Sequence, residues 1–127
     1  MDKKILTWII GIVVIVGIGV GVYFWVQQQN APGKYDAFAK CIASKGVTFY
    51  GAFWCPHCQD QKAMFGSSAK YLPYVECSTP DSNGQTPVCQ QASIQGYPTW
   101  QFADKTRQEG EMSLQDLAKK TGCALPQ

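Results

Sequence analysis

Hydrophobic positions along the chain follow two patterns that meet near Pro32-Gly33. Ile5 to Val26 reads ILTWIIGIVVIVGIGVGVYFWV, 22 residues without a charge and apolar on every side. At a helical rise per residue of about 1.5 Å, this run extends roughly 33 Å, enough to cross the hydrocarbon core of a bilayer. Trp8 stands near one end and Tyr23, Phe24 and Trp25 near the other, where aromatic rings favour the membrane interface. Gln27 to Gly33 is a short polar linker.

Beyond the linker the apolar residues become periodic. Tyr35, Phe38, Ala39 and Ile42 share one helical face and predict a helix over 34–44 that Gly46 ends. Val47-Thr48-Phe49-Tyr50 predicts a central, buried strand. Gly51-Ala52-Phe53-Trp54 leads to Cys55, and Pro56 suits the first position of a helix running to Phe65, with a further turn up to Lys70. Tyr74 to Cys77 predicts a strand, and residues 78–85 a turn-rich loop. Thr86-Pro87 opens a helix to about Ser93. Thr99 to Ala103 and Thr106 to Glu109 predict two strands joined at Asp104-Lys105. Ser113 and Asp116 open a last helix, which Gly122 ends. Strands connected through helices imply an α/β domain, a mixed sheet with helices on both faces.

Charge adds topology. Lys3 and Lys4 precede the apolar run, and Lys34 is the first basic residue after it. The positive-inside rule then places residues 1–4 in the cytoplasm, 5–26 across the membrane, 27–33 as linker and domain 34–127 on the extracytoplasmic side. A cleaved signal peptide is the alternative, but its apolar core is usually about 7–15 residues long with small residues at the cleavage site. This run is longer, and Gln27-Gln28-Gln29-Asn30 follows it, so a retained single-pass anchor is expected. Gly17 and Gly21 form one G-x-x-x-G, too weak in a Gly/Val-rich span to imply a dimer. The 127 residues leave room for one domain besides the anchor. The domain has nine basic and eight acidic residues, which leaves no basic stripe for nucleic acid. All six cysteines lie in it, an even number that fits an oxidising compartment.

The candidate chemistry sits at Cys55-Pro56-His57-Cys58. Two cysteines three apart at a helix start can close a small disulfide ring. Cys55, at the N-cap with its sulfur exposed, is the expected nucleophile, because free amides and the helix dipole stabilise a thiolate there. Cys58, a turn inside and more buried, is the expected resolving thiol. His57, the chain's one histidine, is expected to tune the Cys55 thiolate. A zinc site would need a second close pair, and Cys77 and Cys89 have eleven residues between them. Haem attachment needs His directly after the second cysteine, where Gln59 stands. No metal and no bound cofactor are expected; the redox group is the disulfide itself.

With VTFYGAFW before C-P-H-C and Tyr97-Pro98 about forty residues on, the chain resembles the thioredoxin superfamily. The resemblance implies that Pro98 is cis, faces the sulfurs, shapes the substrate groove and discourages metal capture. YGAFWCPHCQDQKAMFG, YVEC, GYPTW and GE-x-SL-x-x-LA are similar to the thioredoxin-like domain fused to, or paired with, bacterial vitamin K epoxide reductase homologues. That resemblance implies oxidation of exported protein thiols, with electrons passed to a membrane reductase and so, indirectly, to a quinone. Here such a reductase would be a separate partner chain. Reducing thioredoxins place a buried aspartate six residues before the first cysteine, where this chain has Phe49. That departure, and the C-P-H-C dipeptide shared with the bacterial oxidant DsbA, lean toward an oxidant.

Proximity and the resemblance suggest a Cys77–Cys89 disulfide, whose roughly 13-residue loop corresponds to about 3 kcal/mol of closure entropy. Cys41–Cys123 then remains. Three connectivities exist for four cysteines, and a second redox relay is the alternative role. Trp54, Pro56 and Tyr97 are expected to line the substrate groove, with simple packing as the alternative for Trp54. Trp100 and Phe102 read as core, and Gln59 to Lys62 as a solvated helix face. Two other functions compete: a membrane-anchored reductase or isomerase, and a non-catalytic assembly or binding subunit.

Overall fold

A computed structural model describes residues 1–127 as two units, Met1–Ala31 and Pro32–Gln127. The first unit is one helix, α1, Lys3–Gln29, with no buried residue. It is long and apolar enough to cross a membrane. It outruns the uncharged stretch at both ends because Lys3, Lys4 and Gln27 to Gln29 are good helix formers.

The second unit runs α2 (Asp36–Ser44), β1 (Thr48–Gly51), α3 (Pro56–Phe65), a 3₁₀ segment (Gly66–Tyr71), β2 (Tyr74–Glu76), α4 (Pro87–Gln91), β3 (Thr99–Gln101), β4 (Arg107–Glu109) and α5 (Leu114–Thr121). The sheet order is β2-β1-β3-β4. β1 is central, parallel to β2 with Phe49 opposite Tyr74, and antiparallel to β3 with Phe49 opposite Trp100. The fold is the α/β mixed sheet that the hydrophobic pattern implies.

Successive strand residues face opposite sides of a sheet, and Phe49 and Tyr50 divide the interior accordingly. On the Phe49 side lie Phe38, Ala39 and Ile42 of α2, Phe65 of α3, Trp100 of β3 and Leu117 of α5. Phe49 stacks on Trp100 at 4.4 Å, and Phe38 on Phe65 at 5.8 Å. On the Tyr50 side lie Cys77, Cys89 of α4 and Ile94. Helices therefore cover both faces.

Local boundaries differ where side chains reshape the backbone. The hairpin turn is longer than Asp104-Lys105: Asp104 Oδ1 accepts from both the backbone N–H and the hydroxyl of Thr106. The Phe102 N–H also donates to the Thr106 carbonyl, so β4 begins only at Arg107. α4 stops at Gln91 because Ser93 turns left-handed, with φ 55°. Disulfides join Cys41 of α2 to Cys123 beyond α5, and Cys77 to Cys89. The former closes an 82-residue separation, which corresponds to about 4.5 kcal/mol of loop-closure entropy.

Candidate active site

β1 ends at Gly51, and Ala52-Phe53-Trp54 turns the chain into α3. Cys55 is the N-cap, with φ −77° and ψ 118°. Its N–H donates to the Ala52 carbonyl at 3.0 Å, and its Sγ accepts from the Cys58 N–H at 3.3 Å. Pro56 occupies the first helical turn, where its missing N–H leaves no bond unmade. Cys55 and Cys58 are both free thiols.

The two thiols are less unequal in exposure than the N-cap position suggests. Cys58 is 1% exposed, but Cys55 is only 5% exposed and not open as expected. The reason is a wall on its outer side: Ala52 and Tyr97 pack against the pair, and the Tyr97 carbonyl stands 3.7 Å from Cys55 Sγ. The Tyr97–Pro98 bond is cis, and Pro98 is buried. Burial, and a hydrogen bond with the Cys55 sulfur, push the Cys58 thiol up to about 12; the Ala52 backbone and, less, the Lys62 ammonium partly offset this. Cys58 therefore keeps its proton at neutral pH, while Cys55 has the helix-terminal amide at its sulfur. A substrate sulfur reaching this wall meets Cys55 first.

Trp54 is half-exposed, as is Phe53. The indole N–H of Trp54 donates to Ser78 Oγ at 2.8 Å, and its ring meets Tyr97 edge-on at 6.0 Å. The Tyr97 hydroxyl accepts from the Gln85 amide at 2.8 Å. Trp54 and Tyr97 thus form an aromatic rim beside Cys55.

His57 points outward. Its side chain is 72% exposed and its Nδ1 lies 2.7 Å from Glu111 Oε1. Asp60 comes near the same pair, and all three are surface residues. Sequence spacing could not reveal Glu111, which is 54 positions away. Gln61 corrects the expectation of a solvated helix face. It is 0% exposed; its Oε1 accepts from Met112 N–H at 2.7 Å and from the Trp100 indole at 3.2 Å, and its Nε2 donates to the Met112 carbonyl at 2.9 Å. A neutral amide on the inner side of α3 thereby fastens the segment that carries Glu111.

A second group missed in the sequence lies behind Cys58. The Tyr74 hydroxyl donates to Glu76 Oε2 at 2.8 Å. Glu76 Oε1 accepts from the N–H groups of Phe53 and Ser78, at 3.2 and 2.8 Å. The signal available in the sequence was the alternation Tyr74-Val75-Glu76, which puts both polar side chains on one side of β2.

Comparison with known proteins fits this geometry. A family model described as thioredoxin matches residues 31–121. The thiol-disulfide oxidoreductase LTO1 of Arabidopsis thaliana is 43% identical over 110 residues, covering 83% of this chain but 29% of that protein. The chain thus spans less than a third of the length of this curated relative. With the family match running across the sheet, the buried dithiol and the cis-proline, the chain belongs to the thioredoxin family.

Proposed function

We propose that this chain is an extracytoplasmic thiol–disulfide oxidoreductase that oxidises the thiols of exported proteins through a Cys55–Cys58 disulfide. The observation that carries the exchange chemistry is the pair of free thiols at an N-cap beside a cis-proline. A substrate thiolate attacks Cys55 Sγ, the Cys55–Cys58 bond breaks, and Cys58 leaves with the electron pair. A second substrate thiolate then releases Cys55 and carries away a disulfide. The LTO1 relative supports this class of chemistry by its name.

The oxidising direction rests on Phe49, which fills with a stacked aromatic ring the place where reducing thioredoxins hold an aspartate. The compartment rests on the apolar helix with Lys3 and Lys4 before it, and on the disulfides Cys41–Cys123 and Cys77–Cys89. The electron acceptor is a membrane quinone reductase of vitamin K epoxide reductase type, a reading that rests on the sequence resemblance. The reduction potential of Cys55–Cys58 tests the direction. A value close to −120 mV supports it, and one close to about −270 mV makes the chain a reductant. Cys58→Ala should trap both exported proteins and the membrane reductase as mixed disulfides on Cys55. Recovery of cytochrome-assembly proteins alone would reject that acceptor.

A further inference from the structure

Thiol–disulfide exchange has a proton to account for as well as electrons. To attack a mixed disulfide on Cys55, Cys58 must give up its thiol proton inside the protein, where it is 1% exposed. Phe49, at the position where reducing thioredoxins hold an aspartate, has no acceptor. Its ring meets Tyr74 edge-on at 5.3 Å.

Tyr74 and Glu76 occupy the adjoining strand. Gly51 pairs with Glu76 across the β1–β2 ladder. A Cβ on Gly51 would lie 3.0 Å from Cys58 Sγ, 3.3 Å from the Tyr74 hydroxyl and 2.8 Å from Tyr74 Cε2. The sulfur and the phenol therefore share the space that glycine leaves open. From that space the Tyr74 hydroxyl points to Glu76 Oε2, and the carboxylate is held in place by the Phe53 and Ser78 amides. The charged and titratable groups around Cys58 are Cys55 and Lys62 from the α3 side, and Tyr74 and Glu76 from β2. Tyr97 closes the side next to Cys55. Lys62 lies over the Tyr74 ring, 3.4 Å from its centre. Glu76 is the one carboxylate in this set.

We propose that Tyr74 and Glu76 form the proton path of Cys58. As Cys58 Sγ bonds to Cys55 Sγ, the mixed disulfide breaks and its outer sulfur departs with the electron pair. The Cys58 proton passes to the Tyr74 oxygen while the Tyr74 proton passes to the Glu76 carboxylate and on to solvent. When Cys58 is the leaving group, the same path returns the proton. Burial, Glu76 and the two sulfurs raise the Tyr74 hydroxyl, so the phenol relays a proton rather than standing ionised. The proposal rests on exchange at Cys55–Cys58 and holds for either direction of electron flow.

The test uses the full-length reduced protein in detergent with glutathione disulfide as oxidant, quenched in acid and read by mass. Two phases are resolved: glutathione addition to Cys55, then its loss as Cys58 closes the ring. In Tyr74→Phe and in Glu76→Gln the second phase should slow about a hundredfold. It should also become steeply faster with rising pH, while the first phase is unchanged. Glutamine keeps an oxygen for the Phe53 and Ser78 amides, and phenylalanine keeps the ring, so a purely structural role would not shift the pH profile. Wild-type rates and pH profiles for the second phase in both variants would overturn the proposal. Absence of any glutathione adduct in the wild type and in Cys58→Ala would remove the exchange chemistry itself, and the proposal with it.

Discussion

The indole N–H of Trp54 donates to the hydroxyl of Ser78 at 2.8 Å, which ties the aromatic rim of the active site to the residue after Cys77. Ser78 Oγ in turn donates to the Thr79 carbonyl. The Cys77–Cys89 disulfide thus holds one end of the loop on which the rim rests.

Ser78→Ala should leave Trp54 without its partner, a loss of about 1 kcal/mol. Oxidation of a reduced protein substrate should then show a KM raised several-fold. The rate with a small thiol, which does not need the rim, should stay at the wild-type level. Equal losses for both substrates would place Trp54 in packing alone.

Gly51→Ala should be poorly tolerated although alanine is the smallest addition. Its Cβ would meet Tyr74 Cε2 at 2.8 Å and Cys58 Sγ at 3.0 Å, so something must move. Overpacking of this kind costs about 1–3 kcal/mol, measured as a lower denaturant midpoint with an unchanged slope.

The reduced protein should lose stability in alkali through Cys58. Its folded value of about 12 lies above the ordinary thiol value of 9.0. Below about pH 9 both folded and unfolded states keep the proton. Above it the unfolded chain releases the proton first, so stability falls as pH rises toward 12. Chemical unfolding of reduced wild type against reduced Cys58→Ser should show the steeper alkaline decline in the wild type. In the same pH range, alkylation should label Cys55 well before Cys58.

Gln61→Leu preserves volume but strips partners from the Trp100 indole and from both backbone groups of Met112. Leaving such groups buried and unpaired should cost about 2–4 kcal/mol. Because Met112 adjoins Glu111, the His57–Glu111 contact should loosen as well, visible as an altered His57 ring signal in NMR.

The architecture was legible because most of its elements carry their own punctuation. Pro56 after Cys55, Gly46 and Gly122 at helix ends, and Ser113 with Asp116 each mark a boundary that the backbone follows within a few residues. The hairpin at Phe102–Thr106 was longer than read because a single side chain, Asp104, accepts two bonds from Thr106 and redraws the turn. Around the reactive motif, the sequence marked the thiols and Pro98 but not their surroundings. Gln61 read as solvated because glutamine usually is; only its bonds to Met112 and Trp100, distant in sequence, make its burial tolerable. Glu111 and Tyr74–Glu76 were hidden for the same reason: each gains its meaning from a residue on another element.

The bond between Cys41 and Cys123 makes nearly the whole thioredoxin unit one covalent ring. A single protease cut between those residues but outside the Cys77–Cys89 loop, at Asp104-Lys105 in the hairpin turn for instance, would open the ring without freeing either piece. Both fragments would stay joined to each other, and through residues 30–35 to the helix Lys3–Gln29. Nicking would then alter the shape of the unit before it separated any part of it from the rest of the chain.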